Sequence, residues 1–124
     1  MEKLYQQYKD RAEFLLVYIR EAHPDSVLFV AREGEETLEK VLQTDDLDAR
    51  AANAKICNET LKLSFPTVLD REDNAVNEAY SGWPDRFVIV GTDGRIAYYG
   101  PPGPGGFKPN EVEEWLEANT EWRP

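Results

Sequence analysis

His23 is the one histidine in the chain. It stands in VYIREAHP, residues 17–24, two positions after Glu21 and directly before a proline. An imidazole titrates near neutrality, so His23 can donate a proton or hold a polar ligand group. The alternative is a partly exposed polar residue where a strand ends. Glu21 shares that end. If the strand runs that far, period-two alternation puts both side chains on one face, where a carboxylate can orient or charge the imidazole. Otherwise Glu21 is a solvated acid. Tyr18 reads as core. A second group is Trp83-Pro84-Asp85-Arg86, in which Arg86 can form an ion pair with Asp85 or Glu78, and Trp83 can line a pocket or simply pack. Cys57 is the one cysteine. It is either a resolving or regulatory thiol or a small buried hydrophobe between Ala54 and Leu61.

These groups also set limits. A single cysteine excludes an intrachain disulfide, and one cysteine with one distant histidine is too little for a metal site. GPPGPGG (100–106) holds too many prolines to offer a nest of N–H donors to a phosphate. No cofactor is therefore expected. The 124 residues carry a formal net charge of −10, which disfavours nucleic acid and an anionic membrane surface. No apolar run approaches the roughly 20 residues of a spanning helix. MEKLYQQYKDRAEF is too polar for a signal peptide. The expectation is a single soluble, cytoplasmic domain over residues 1–124, and 41% hydrophobic residues can build one core.

The elements that must position these residues follow from periodicity. Residues 2–13 place Leu4, Tyr5, Tyr8 and Ala12 on one helix face. FLLVYI (14–19) is a continuous apolar run of strand length and predicts a parallel strand buried on both faces. SVLFVA fits a short strand or a covering loop. EETLEKVL (35–42) predicts a short helix with Leu38, Val41 and Leu42 inward. Residues 46–63 predict a longer helix, capped by Asp46, with Leu47, Ala51, Ala54, Cys57 and Leu61 inward. TVLD (67–70) is a strand and AVNEAY (75–80) a helix. FVIV (87–90) and RIAYY (95–99) form a hairpin across Asp93-Gly94. Asn110 with Glu113 resembles a capping box before a last helix with Val112, Trp115 and Leu116 inward. The order is an α/β sandwich with a mixed sheet.

Several stretches together resemble a known family. FPTVLDREDNAVNEAY and WPDRFVIVGTDGRIAYYG are similar to segments of peroxiredoxin-like members of the thioredoxin fold. YIREAHP, WPDR and GPPGPGGFKPNEVEEWL are more specific, and resemble the iodothyronine deiodinase family and its bacterial relatives. The resemblance implies a thioredoxin fold and oxidoreductase chemistry. Vertebrate members remove iodine from thyroid hormones reductively with a selenocysteine nucleophile; bacterial relatives commonly carry cysteine there. It places His23 beside a substrate pocket, as proton donor or partner of a phenolic or halogenated group. It makes Arg86 a pocket residue whose donor fork can hold an anion. It makes Pro84, ahead of Pro66, the expected cis proline. The implied partners are a small aromatic halide or peroxide and a thiol reductant, with a homodimer as a further expectation.

The family's nucleophile precedes the body of the first helix, in a motif ending Pro-Pro-Phe. Residues 2–13 match that helix body, so the motif and the strand before it are expected upstream of Met1. An in-frame selenocysteine codon read as a stop would place a start at the next methionine. The fold expected from residues 1–124 is thus a thioredoxin-like sandwich truncated at its N-terminus. A central strand is then missing between FLLVYI and FVIV, which leaves two unpaired edges. Cys57 does not match the nucleophile position, so the chain as given is expected to be inactive. The competing expectation is a scaffold without chemistry that binds a small aromatic ligand or self-associates through its sheet.

Overall fold

The structure is a computed structural model and describes residues 1–41, 43 and 46–121. In chain order the elements are α1 (Glu2–Tyr8), β1 (Leu16–Tyr18), β2 (Val27–Arg32), β3 (Glu35–Lys40), α2 (Leu47–Leu61), β4 (Thr67–Leu69), α3 (Ala75–Tyr80), β5 (Val88–Val90), β6 (Ile96–Tyr99) and α4 (Pro109–Asn119). This is a mixed α/β arrangement of helices and short sheets, compatible with a thioredoxin-like fold.

Pairing divides the strands into three two-stranded sheets among the described residues: β1 with β4 in parallel, and β2–β3 and β5–β6 antiparallel. The parallel partner expected for β1 is present. Its residues are half-buried, however, because the sheet on which it lies is only two strands wide. The β1–β4 pair and the β5–β6 pair share no ladder. The described core lies between α1, α4 and the β5–β6 pair, with Phe14 joining it just before β1. Leu4 and Tyr8 of α1 pack with Val112 and Leu116 of α4, and Phe14, Phe87, Ile89, Tyr98 and Trp115 close around them. Tyr5, Phe14 and Phe65 add a ring cluster with centroids 5.3–5.9 Å apart, spacings at which edge and offset contacts are favourable.

Four expectations are corrected. Residues 35–40 form β3, a strand rather than a helix. Glu33 and Gly34 both take positive φ and close a two-residue turn, so the chain folds back on β2 with Arg32 opposite Glu35. Leu38 consequently points to solvent, while Val41 is buried; Leu42 lies outside the described residues. In α2 the Asp46 cap is present, its carboxylate accepting from Ala49 N–H at 2.8 Å. The buried face is turned toward Arg50 and Asn53, which keeps Ala54 inward and exposes Leu47, Ala51 and Leu61. Asn110 is not a cap: α4 starts at Pro109 behind Lys108, the first-turn position at which a missing N–H costs nothing. Finally, α1 stops at Tyr8, and residues 9–12 continue as a turn.

Candidate functional site

The strand β1 ends at Tyr18, so its alternation does not extend to Glu21 and His23. Glu21 folds back instead. One carboxylate oxygen accepts the Tyr18 hydroxyl, and the other accepts the backbone N–H groups of Ala22 at 3.0 Å and His23 at 2.9 Å. The expected carboxylate–imidazole arrangement is thereby replaced: Glu21 positions His23 through its main chain. Ser26 holds the other side, its hydroxyl donating to His23 O at 2.9 Å. The backbone is pinned at both groups while the residue is exposed and its ring makes no hydrogen bond among the described residues.

Behind this turn lies Cys57 on α2. Burial pushes its thiol up first, and the Glu21 carboxylate pushes it further. A thiol held protonated in this way is a poor nucleophile. Tyr18 is also pushed up, first by burial and then by its bond to Glu21. The half-buried Tyr18, Glu21 and Cys57 form one polar cluster with the buried Asn53 at the end of β1.

The second wall is the turn after α3. Trp83–Pro84 is cis, as expected, and Gly103–Pro104 is a second cis bond. Gly82 lies against β1's extension: a methyl at its Cα would sit 3.5 Å from Ile19 Cδ1. The Arg20 guanidinium lies 6.0 Å from the Trp83 ring centroid, within cation–π range. Trp83 is 46% exposed, enough to face a ligand. The end of β1 and the Trp83-Pro84 turn are therefore neighbours.

Arg86 follows that turn. Its Nε donates to Ser81 O at 2.9 Å and one Nη to Gly100 O at 2.5 Å, and the guanidinium lies 4.4 Å from the Tyr99 ring centroid. It pairs with neither Asp85 nor Glu78. Two of its five N–H donors are used, which leaves three for a ligand. Tyr99 is itself tied to α3 by a 2.7 Å bond to Tyr80 O. The loop 100–106 packs on this segment: Gly103 N–H donates to Asp85 O, Gly100 N–H donates to Phe87 O, and Phe107 stacks on Phe87 with centroids 4.5 Å apart.

Two buried residues that sequence patterning missed join the walls. Asp70 is fully buried at the end of β4. Its carboxylate accepts from Arg71 N–H at 2.8 Å and from Val76 and Asn77 N–H at 2.9 Å, which caps α3. Its own N–H donates to Tyr18 O at 2.9 Å, the last bond between β4 and β1. Arg50, 2% exposed, donates to Asp70 O, Arg71 O and Asn74 Oδ1. A carboxylate closing a strand six and seven positions before the first turn of a short helix was a usable signal for Asp70. Arg50 gave none, since arginine on a helix is ordinarily solvated.

A hollow of about 540 Å³ lies elsewhere, on α4 among Asn110, Glu113, Glu114, Glu117 and Ala118. It is an open acidic surface lined by none of the candidate residues. Among the described residues no cluster could hold a metal ion, and no helix is long and apolar enough to cross a membrane.

Comparison with known proteins places the whole assembly in context. The family described as iodothyronine deiodinase matches residues 1–120. A thyroxine 5-deiodinase of Sparus aurata is 34% identical over 116 residues, 94% of this chain and 41% of the relative. A type II iodothyronine deiodinase of Homo sapiens is 35% identical over 121 residues, 94% of this chain and 43% of the relative. A type I enzyme of Xenopus laevis is 34% identical over 115 residues, with 93% and 43% covered. The chain spans about two fifths of the length of these relatives.

Proposed function

The chain belongs to the iodothyronine deiodinase family, and on that premise we propose that its two walls form the substrate side of a thiol- or selenol-dependent reductive dehalogenation site. The contact of Ile19 and Arg20 with the Gly82-Trp83-Pro84 turn supports this most directly, because it gathers the family's motif residues at one place.

The substrate class is an iodinated phenol, as in the thyroxine that names the relatives. A thiolate or selenolate attacks iodine, a sulfur–iodine or selenium–iodine bond forms, and the carbon–iodine bond breaks. The electron pair stays on the ring carbon, which takes a proton from protonated His23. An external thiol displaces iodide from the modified nucleophile, and a second thiol releases the resulting mixed bond as a disulfide, regenerating the nucleophile. Arg86 offers its three remaining donors to the substrate's anionic group, Trp83 offers its exposed face to the ring, and Glu21 positions His23. Cys57 serves neither as attacking group nor as a fast thiol, because its thiol is held protonated. The nucleophile in this proposal is not among residues 1–124.

The test measures iodide release from an iodinated phenol with dithiothreitol, using this chain and a form extended through its upstream reading frame. The extended form is expected to turn over and the 124-residue chain not. In the extended form His23→Ala should lower kcat and Arg86→Ala should raise KM. Equal turnover by the two forms defeats the nucleophile argument; no turnover by the extended form defeats the deiodinase reading. The exposed Trp83 and the Arg86–Tyr99 pair also support non-catalytic binding of an aromatic anion. Tryptophan quenching by such a ligand, without turnover in either form, would favour that second reading.

A further inference from the structure

An exposed cation without a polar partner stands beside the two walls. Arg20, between Ile19 and Glu21, makes no hydrogen bond or ion pair among the described residues. Its guanidinium lies 6.0 Å from the Trp83 ring centroid, a contact that uses none of its five N–H donors. The acid next to it in sequence has other work: Glu21 takes the Tyr18 hydroxyl and the N–H groups of Ala22 and His23. A second pair of the same kind follows Pro84, with the Arg86 guanidinium 4.4 Å from the Tyr99 ring centroid. Trp83 and Arg86 are three residues apart, so their Cα atoms are separated by at most about 11 Å. The chain carries a net charge of −10. Two guanidiniums beside half-exposed rings at one turn make a local exception to that field, suited to an anion.

The two arginines are not equivalent. Arg86 is half-buried and tied to Ser81 O and Gly100 O, whereas Arg20 is exposed and untied. We propose that Arg20 receives a carboxylate at the tail of the substrate, so that the site selects an iodinated phenol carrying a second negative charge away from its reacting ring. This rests on the dehalogenation reading for the ring and adds the group at the other end. The reacting ring must be shielded from water, so its phenolate belongs with the anchored Arg86 and the loop packed beside it. An aliphatic carboxylate is ionised at neutral pH and keeps its solvation at an open edge, so it belongs with Arg20. The flat fork of a guanidinium matches the two carboxylate oxygens. The exposed Trp83 ring stands next to Arg20 and supplies the apolar surface between the two charges. A neutral tail gains nothing from Arg20 and an ammonium tail is repelled, so this residue sets specificity and leaves the chemistry to others.

The probes are a diiodophenol bearing a propanoate side chain and the methyl ester of the same compound. Their binding to the 124-residue chain is followed through the Trp83 indole N–H resonance, assigned by its loss in Trp83→Phe. The acid should bind about fivefold tighter than the ester, a preference moderated by the exposure of Arg20. Arg20→Gln should abolish the preference by weakening the acid alone, Arg20→Glu should invert it, and Arg20→Lys should restore part of it. Arg20 is exposed, so folding is preserved, and circular dichroism checks it. Equal binding of acid and ester by the wild type overturns the proposal. So does an Arg20→Gln variant that weakens both ligands alike, which would mark a structural role, and so does the absence of binding by either ligand. Iodide release from the upstream-extended form separates the two readings. Turnover with no effect of Arg20 on the acid-to-ester ratio of kcat/KM defeats the tail assignment alone. An Arg20-dependent binding preference without turnover upholds the tail assignment and defeats the dehalogenation reading alone.

Discussion

Replacing Asp70 should loosen both walls of the site at once. Its carboxylate receives three backbone N–H groups at 2.8–2.9 Å in a fully buried position, and two of them belong to the first turn of α3. Hydrogen bonds to a charged group contribute about 1.5–3 kcal/mol each, and loss of a helix cap alone costs about 1 kcal/mol. The three donors are only partly buried, and water will recover some of the loss. Asp70→Ala should therefore cost about 3–5 kcal/mol, a large share of the roughly 5–15 kcal/mol that holds a domain together. Asp70→Asn keeps one acceptor oxygen for Arg71 and Val76 but turns an amide N–H₂ toward the Asn77 N–H, so it should cost about half as much. Urea unfolding followed by circular dichroism gives both values. Tryptophan fluorescence, to which Trp83 contributes beyond the end of α3, should shift to the red in native buffer. A loss below about 1 kcal/mol for Asp70→Ala would refute the capping argument, because no combination of the three bonds with rehydration is that small.

Two further outcomes follow from local geometry. A methyl at Gly103 would lie 1.6 Å from Asp85 Oδ1, whereas one at Gly105 meets nothing within 4 Å. Gly103→Ala should lower Tm, at a cost of about 1–3 kcal/mol, and Gly105→Ala should be tolerated; equal Tm values for the two variants would contradict the packing of loop 100–106. Tyr8 is pushed up to about 12, first by its bond to Glu117 and then by burial, and Tyr18 and Tyr98 are pushed up as well. The folded state favours these phenols neutral. Their contribution is thus full below the ordinary value of about 10 and lost as pH rises toward 12, so stability should fall over that window. Absorbance near 295 nm should show these tyrosines ionising late in native protein and normally in urea; simultaneous ionisation of all six tyrosines in the native state would sink the assignment.

Sequence alone determined the family and most of the elements. The motifs YIREAHP, WPDR and GPPGPGGFKPNEVEEWL carried the family. Continuous apolar runs marked β1, β4 and β5, the Asp93-Gly94 turn marked the β5–β6 hairpin, and Asp46 marked the start of α2, because each of these signals is local. Tertiary structure decided what depends on distant partners. EETLEK has a helical composition, yet the Glu33-Gly34 turn and pairing with β2 hold it as a strand. The face of α2 was decided by Arg50, which turns inward because carbonyls at Asp70 and Arg71 and the Asn74 side chain await its donors across the fold. Glu21 was legible as a candidate residue but not in its contacts. Its carboxylate is drawn to backbone N–H groups and to Tyr18, since the strand stops three residues before it. Periodicity reports which way a side chain points while an element lasts; only the folded chain decides where the element ends and which buried polar group must then be satisfied.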